Sequence, residues 1–162
     1  MVVRLSAAIR AAAIVLICSS AAMAQSEIRA VRSYAADGAT IVGAASIYNP
    51  YQPGYREDGT ETSSGEHYDP SAWAAAIQTD LREKFGGVRR GNATSYALVE
   101  GINKKAIVKI NDVGPLKPGR VIDFDERTMR YFDPTLRLGL IHSVKVTPLH
   151  GDDWLPGPIA ER

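Results

Sequence analysis

Alternating apolar and polar positions are clearest in the second half of the chain. Two short alternating runs, 96–100 and 106–110, are joined by the sequence Gly-Ile-Asn-Lys-Lys. A period of two is typical of a strand with one buried face, and a short connection that contains glycine and asparagine is typical of a hairpin. We therefore predict a β-hairpin in this region.

Further short strands are predicted on both sides of the hairpin. They comprise residues 43–48, which end before Pro50, and residues 120–124 and 143–149. Asp125 is placed to cap a short helix that carries Met129 and Phe132. Many short strands, one or two brief helices and no internal repeat indicate a small, mainly β barrel in a single domain.

The segment from Asp69 to Phe85 gives two conflicting signals. Asp69-Pro70 is typical of a helix start, and the apolar residues that follow recur at helical spacing. These residues are Trp73, Ala76, Ile77, Leu81 and Phe85. Periodicity alone therefore predicts one helix that ends at Gly86-Gly87.

The N-terminus has the layout of a secretory signal peptide, residues 1–24. Arg4 and Arg10 precede an apolar stretch at 11–17, and Ala22-Met23-Ala24 supplies the small residues of a cleavage site. The stretch is too short to span a bilayer core of about 30 Å, and no later segment holds 18 continuous apolar residues. We expect cleavage after Ala24, export to the periplasm and no membrane span.

The remaining chain is long enough for one domain with a sizeable core. We divide it into a lead-in segment at 25–40, a barrel domain at 41–149 and a C-terminal tail at 150–162, which we expect to be loose. Cys18 is the only cysteine and lies in the signal peptide, so the exported protein would hold no disulfide. Lipidation at Cys18 is a disfavoured alternative, because lipoprotein signals usually place a small residue where Ile17 stands.

The charge of the chain does not favour a nucleic-acid partner. Its 19 basic and 18 acidic side chains nearly balance, and the basic residues form no long run. Proteins bind phosphate backbones through an excess of positive charge, which this composition lacks. We expect a monomer that binds no nucleic acid.

Several kinds of catalytic site are excluded by the residues present. The chain has no Gly-x-Ser-x-Gly elbow, and export would remove its thiol. His67, His142 and His150 are scattered, without a His-Glu-x-x-His pattern. Glu66, His67 and Asp69 are a disfavoured metal-binding alternative, so we expect no metal and no cofactor. Carboxyl groups remain as the candidates for chemistry.

Two segments, 64–70 and 108–115, set carboxylates among glycine, proline and apolar residues. Asp112 follows an alternating strand, so we expect its carboxyl at a barrel rim, where partial desolvation would raise its pKa from about 3.9. A raised pKa is what a general acid requires. The alternative, favoured by residue type alone, is that Asn111-Asp112 only shapes the turn before Gly114-Pro115.

Four short motifs follow one another along the chain. They are GAASIY at 43–48, TSSGEHYD at 62–69, VKINDVGP at 108–115 and GRVID at 119–123. In this order and with these gaps, they resemble the rare lipoprotein A family over about residues 43–149. The resemblance implies a six-stranded double-psi β-barrel, a fold shared with expansins. It also implies a strand at 74–78 and a helix only at about 79–84, against the periodicity.

The resemblance also implies lytic transglycosylation of peptidoglycan glycan strands. In this reaction the β-1,4 bond between N-acetylmuramic acid and N-acetylglucosamine is cleaved, and the sugar's own 6-hydroxyl closes a 1,6-anhydro ring. Because no water is activated, one carboxyl can act first as acid and then as base. We assign that role to Asp112, with Glu66 and Asp69 in support. The residues expected to bind sugar are Tyr48, Tyr68 and Asn111, unless the tyrosines only pack.

One position departs from the family pattern. The family's Thr-Ala-Ala-His segment is Ala74-Ala75-Ala76-Ile77 here, so an aliphatic side chain replaces a histidine expected near the carboxylates. If Ile77 lies close to Asp112, it would desolvate that carboxyl and still favour its protonated form. The replacement also supports an alternative, a non-catalytic expansin-like module that binds or loosens wall polysaccharide. A secreted protein that binds another partner is a third, weaker alternative.

Overall fold

The computed structural model describes residues 40–48 and 61–159. The signal peptide, Cys18 and all but the last residue of the lead-in segment lie outside these ranges, so the predictions made for them stay predictions. Within the described ranges, no helix is both long enough and apolar enough to cross a bilayer.

Seven strands and two short helices make up the described part of the chain. The strands are β1 Ile41–Ile47, β2 Ala74–Gln78, β3 Ser95–Gly101, β4 Lys104–Gly114, β5 Arg120–Phe124, β6 Leu140–Leu149 and β7 Gly157–Ile159. A 3₁₀ helix, Thr79–Phe85, follows β2, and the α-helix α1, Glu126–Phe132, follows β5. The mainly β fold with short helices is confirmed.

Six of these strands close into a barrel. They pair in the order β2-β5-β1-β6-β3-β4, and β2 also pairs with β4, which completes the ring. The β1–β5 and β2–β4 pairs are parallel, and the other four are antiparallel. This mixed six-stranded barrel agrees with the fold that the resemblance implies.

The barrel interior is filled by apolar side chains from all six strands. Successive residues of a strand point to opposite faces, and the core residues of β3 and β4 accordingly alternate along each strand. Helix α1 adds Met129 and Phe132 to this core, and the ring of Phe132 stacks on Phe124 with centroids 5.2 Å apart. This packing fixes the end of β5 and the start of α1, where candidate functional residues lie.

The predicted hairpin is confirmed as β3 and β4, with a shorter turn than expected. Gly101 pairs with Lys104, so only Ile102 and Asn103 connect the strands. Both have positive φ, 48° and 55°, as a two-residue turn that follows the twist of a hairpin requires. Asparagine tolerates this conformation, whereas the β-branched Ile102 adopts it at some cost.

The helix predicted from periodicity over Asp69 to Phe85 is wrong, and the division implied by the resemblance is confirmed. Residues 74–78 form β2, and the 3₁₀ helix begins at Thr79. The side chains at 74–77 are all buried, so this strand lacks the polar alternation that would have marked it. Continuous burial produced an apolar run that matched a helical spacing by chance.

The C-terminal tail is partly ordered, so the expectation of a loose segment is wrong for β7. This strand pairs antiparallel with residues 105–107 of β4. One edge of β4 pairs with β3, and on the other edge β2 covers only residues 109–114. The first half of that edge is therefore open, and β7 satisfies its backbone groups.

Candidate active site

Strand β2 lies between two aspartates on the outer face of the barrel. Ala76 pairs with Asp112 of β4 on one side and with Asp123 of β5 on the other. Directly paired residues point to the same side of a sheet, so both carboxyls share the face of Ala76. Ala75 and Ile77 alternate with it and point into the core. Only a methyl group separates the two aspartates in this row.

Asp112 is fixed by the loop that precedes β2. Its Oδ1 accepts hydrogen bonds from Ser63 N at 2.8 Å, from Ser63 Oγ at 2.7 Å and from Val113 N at 2.8 Å. Among the described residues, no hydrogen bond reaches its Oδ2. Because β4 continues to Gly114, the half-buried Asp112 lies in a strand rather than in the turn that was the alternative. Its Oδ2 is the oxygen available to a ligand.

Glu66 is exposed and lies over β4. Its Oε1 forms an ion pair with Lys109 Nζ, and its Oε2 accepts a long hydrogen bond of 3.5 Å from Asn111 Nδ2. The register of β2 against β4 shifts where Asn111 stands, so this residue is the extra one of a β-bulge. Bulges re-aim side chains at the rims of barrels. Here the bulge coincides with the contact between Asn111 and Glu66.

Asp69 is exposed at the turn that leads into β2. Its Oδ1 accepts hydrogen bonds from Ser71 Oγ at 2.6 Å and from Ser71 N at 2.8 Å. These hydrogen bonds hold the pKa of Asp69 below its ordinary value. The residue therefore carries a negative charge at neutral pH.

A cleft of about 460 Å³ brings three of the expected residues together, namely Glu66, Asp69 and Asn111. Its other walls are formed by the residues of the β2 approach, of β4, of α1 and of the tail, which are His67, Ser71, Ala72, Trp73, Ala74, Lys109, Arg127 and Pro156. Asp112 follows Asn111 directly but is not part of this lining. The expected acid is thus the residue of β4 immediately after the cleft lining.

The two expected tyrosines pack against each other outside this cleft. The rings of Tyr48 and Tyr68 meet edge to face with centroids 5.4 Å apart, and Tyr68 Oη donates a hydrogen bond of 3.3 Å to Tyr48 O. Tyr68 is buried and Tyr48 is half-buried. The pair links the end of β1 to the loop that carries Glu66 and Asp69, and its role in sugar binding stays a prediction.

Asp125 is the residue that the sequence analysis missed. It is 1% exposed, and its Oδ2 is buried without a hydrogen-bond partner among the described residues. Burial raises the pKa of Asp125 to about 7, and the negative charges of Asp112 and Asp69 add to this effect. The spacing Asp123-x-Asp125 was the available signal, because two residues apart on an extended chain share one face.

Asp123 differs from Asp125 because its carboxyl is partnered. Ser46 Oγ of β1 donates a hydrogen bond to Asp123 Oδ1, and Arg120 Nη1 donates to Ser46 Oγ at 2.9 Å. Burial raises the pKa of Asp123, while these partners oppose the shift. This network joins β1 to β5 and gives Asp123 a structural role at the base of the site.

Ile77 does not lie on the face that carries the carboxyls. Its side chain is fully buried in the core, and its pairing partners are Val113 and Ile122. Ala76, on the opposite face of β2, is the residue beside Asp112. The idea that Ile77 desolvates Asp112 from close by is therefore not supported by the register.

The metal-binding alternative gains no support from the geometry. Across residues 40–48 and 61–159, no three His, Cys, Asp or Glu side chains are grouped in a way that could hold a metal ion. Glu66 is instead engaged with Lys109, and Asp69 with Ser71.

Comparison with known families decides the relationship. The family model described as lytic transglycolase matches residues 40–145. This range includes five strands of the barrel, β1 to β5, and the first half of β6. The chain belongs to this family. No curated protein gives a significant match to the sequence.

A solved structure supports the fold of this family member. The Streptomyces papain inhibitor (SPI) aligns with a TM-score of 0.53 and 17% sequence identity, over 70% of this chain and 96% of that protein. At this identity the likeness concerns the fold alone. It shows that the barrel described above occurs in a protein whose name refers to protease inhibition.

Proposed function

We propose that this chain is an exported lytic transglycosylase of the periplasm that cleaves the β-1,4 bond between N-acetylmuramic acid and N-acetylglucosamine. The observation that carries the proposal is that a member of the lytic transglycolase family has a cleft lined by Glu66 and Asp69, with Asp112 beside it. Cleavage of a glycosidic bond requires carboxyl groups that donate a proton and stabilise positive charge.

In the proposed reaction, Asp112 acts through Oδ2, the oxygen left open by its three hydrogen bonds. This oxygen donates a proton to the glycosidic oxygen as the bond from that oxygen to the muramic C1 breaks. The same oxygen then takes the proton of the 6-hydroxyl as that hydroxyl bonds to C1. The proton count of the enzyme is unchanged after one cycle, and no water is consumed.

The carboxylates of the cleft support this step electrostatically. Asp69 is charged at neutral pH and exposed, so it can face the positive charge that develops on the sugar ring. Glu66 is tied to Lys109, which makes it a positioning group for polar sugar substituents rather than a free charge. Asn111 offers its amide from the bulge next to Asp112.

The test is a product analysis on isolated sacculi and on glycan strands stripped of peptides. The purified exported protein is incubated with each, and the soluble products are examined by mass spectrometry for 1,6-anhydro ends. We expect such ends from both substrates or from the stripped strands alone. Products with reducing ends formed by water would contradict the proposal, because they require hydrolysis.

A second candidate function is a non-catalytic module that binds wall polysaccharide through the same cleft. The observation in its favour is that Ile77 provides no polar group at the position where the family pattern has histidine. Sedimentation with sacculi without anhydro products would support this candidate. A protein that neither sediments with sacculi nor releases products would contradict both.

A further inference from the structure

Two carboxylates, one ammonium and one guanidinium line the cleft, and only two of these groups neutralise each other. Glu66 and Lys109 form an ion pair. Asp69 and Arg127 form no salt bridge with each other or with any other residue in the described part of the chain. The cleft therefore presents one negative and one positive group to a ligand.

Arg127 is held in a defined orientation although it is exposed. Its guanidinium lies over the ring of Trp73, with Cζ 5.2 Å from the ring centroid, and its Nη1 donates a hydrogen bond of 2.9 Å to Ser71 O. The backbone N–H of Arg127 donates to Pro70 O at 2.9 Å. A planar guanidinium is well suited to such contact with an aromatic face. Arg127 is thus oriented before any ligand arrives.

The Trp73 ring beneath this guanidinium is itself anchored to the barrel. It packs against the apolar core and meets the ring of Tyr131 edge to face, with centroids 5.3 Å apart. The carbonyl of Trp73 accepts a hydrogen bond of 2.9 Å from Lys109 N of β4. The support of Arg127 is therefore tied both to α1 and to the barrel wall.

Most of the hydrogen-bonding capacity of Arg127 remains unused. A guanidinium carries several N–H donors in one plane. Only Nη1 has a partner among the residues that the structure describes, so Nε and Nη2 are available to a ligand. Adjacent N–H groups of a guanidinium bind the two oxygens of a carboxylate through parallel hydrogen bonds. The ligand group that fits Arg127 best is therefore a carboxylate.

Asp69 and Arg127 are held at adjacent points of the cleft because both bind Ser71. Asp69 Oδ1 accepts from the hydroxyl and the N–H of Ser71, and Arg127 donates to the carbonyl of the same residue. The hydrogen bonds from Ser71 are the main causes that lower the pKa of Asp69, and the charge of Arg127 adds the smallest one. Both charges thus remain available side by side.

We propose that Arg127 binds a carboxylate of the muramic acid residue whose C1 faces Asp69, either the free lactyl group or a carboxylate of the stem peptide. The inference rests on the proposed function, because it names the substrate group that the cleft recognises. Muramic acid differs from N-acetylglucosamine in a lactyl ether at C3 that ends in a carboxyl group. In strands without peptides this carboxyl is charged. In substituted strands it is an amide, and the negative charges lie further along the peptide.

The charges of the cleft complement those of this sugar during the reaction. Positive charge develops at C1 and the ring oxygen, where Asp69 can face it. The C3 substituent belongs to the same ring, so one sugar can contact Asp69 and Arg127 together. N-acetylglucosamine has no carboxylate for Arg127. The guanidinium therefore distinguishes the two sugars of the strand and selects the bond on the C1 side of muramic acid.

The first test measures binding of disaccharides that the proposed reaction does not cleave. The probes are N-acetylglucosaminyl-N-acetylmuramic acid, its L-alanyl-D-isoglutamine derivative and N,N′-diacetylchitobiose, which has no carboxylate. The ¹⁵N-labelled exported protein is titrated with each and followed by NMR, including the Nε–H signal of Arg127. We expect at least one carboxylate-bearing probe to bind about 10-fold more tightly than diacetylchitobiose and to shift this signal.

Variants of Arg127 separate charge from geometry. Arg127→Gln should abolish the preference and leave the dissociation constant of diacetylchitobiose within about 2-fold of the wild type, which also shows that the cleft is intact. Arg127→Lys keeps the charge without the planar fork and should retain part of the preference. Arg130→Gln is the matched control, because Arg130 is on the same helix, is paired with Glu126 and does not line the cleft. It should keep the full preference.

The probes also identify the source of the carboxylate. Tighter binding of the unsubstituted disaccharide would assign the lactyl group, and tighter binding of the peptide derivative would assign the stem peptide. Equal or undetectable binding of all three probes would overturn the inference. A preference that survives Arg127→Gln, or that disappears equally in Arg130→Gln, would overturn it as well.

The second test uses the formation of 1,6-anhydro ends from glycan strands that carry the preferred carboxylate. Arg127→Gln should raise KM by about 10-fold with little change in kcat, since the carboxylate is bound equally in the ground state and the transition state. Anhydro ends from a wild type without any carboxylate preference would leave the proposed function standing and overturn the role of Arg127. A carboxylate preference without anhydro ends would have the opposite result, because the binding site would stand and the proposed function would fail.

Discussion

The two faces of β2 have opposite environments within one short strand. On the inner face, Ala75 and Ile77 join the apolar core. On the outer face, Ala76 separates the carboxyls of Asp112 on β4 and Asp123 on β5. The same alanine-rich sequence serves both faces, because a methyl group fills a core position and also lets acidic side chains approach across it. The residues that stabilise the barrel and the carboxyls proposed for catalysis thus lie on opposite faces of one strand, β2.

The largest expected effect lies on the outer face, at Asp112. Asp112→Asn should lower the formation of 1,6-anhydro ends by about 100-fold or more, because an amide cannot donate and recover the proton. Mass spectrometry of digested sacculi measures this change. Asp80→Asn, on the exposed side of the 3₁₀ helix, is the control and should retain activity. Unchanged activity in Asp112→Asn would mean that the acid is another residue.

The next effect lies on the inner face, at Ile77. Ile77→His should lower the free energy of unfolding by roughly 3 kcal/mol or more, since it buries an imidazole without a partner in an apolar core. Ile77→Val should cost only about 1 kcal/mol. Urea denaturation of both variants provides the comparison. A histidine variant that is both stable and more active would show that the side chain at position 77 does influence the carboxyls on the outer face of β2.

Asp125 should give a pH-dependent change in stability. The folded pKa of this acid is about 7 against an ordinary value of 3.8, so the wild type loses stability as pH rises from about 4 to about 7. Asp125→Asn removes this loss and should be more stable than the wild type by roughly 2–4 kcal/mol at pH 8, with little difference at pH 4. Urea denaturation at the two pH values tests this prediction, and an equal difference at both would refute the burial argument.

The smallest effect concerns the loop that holds Asp112. Ser63→Ala removes the hydroxyl that donates to Asp112 Oδ1 but leaves the backbone N–H in place. We expect a loss of about 1 kcal/mol in stability and a several-fold loss in activity, since one of three hydrogen bonds disappears. Ser143→Ala, at an exposed position of β6, serves as a comparison. Should Ser63→Ala match Asp112→Asn in activity, the hydroxyl itself would take part in the chemistry.

The sequence was informative where local pattern and tertiary structure agree. The β3–β4 hairpin was predicted from alternation, and residues 120–124 were predicted as a strand with the bounds that β5 has. Strand β2 could not be obtained this way, because both of its faces are buried and alternation therefore disappears. Its bounds came from the ordered motifs of a family, which record tertiary context that a single segment lacks.

The site was predictable in part, for a similar physical reason. Glu66, Asp69 and Asp112 belong to motifs with recognisable turn residues, so they attracted attention in the sequence. Asp125 was seen only as a helix cap, since aspartate before a helix is common. The burial of the Asp125 carboxyl depends on the pairing of β5 with β2 and on the packing of α1. No local sequence pattern encodes these tertiary contacts.

Strand β7 has a consequence for how this protein behaves when its last residues are lost. A chain that ends at Asp152 would keep all six barrel strands, yet it would expose the N–H and C=O groups of β4 at 105–107. A bare strand edge of this kind readily recruits the edge of another molecule. The same cut would remove Pro156 from the wall of the cleft. Self-association and altered access for polysaccharide would then appear together, from the removal of a segment with no carboxylate in the cleft.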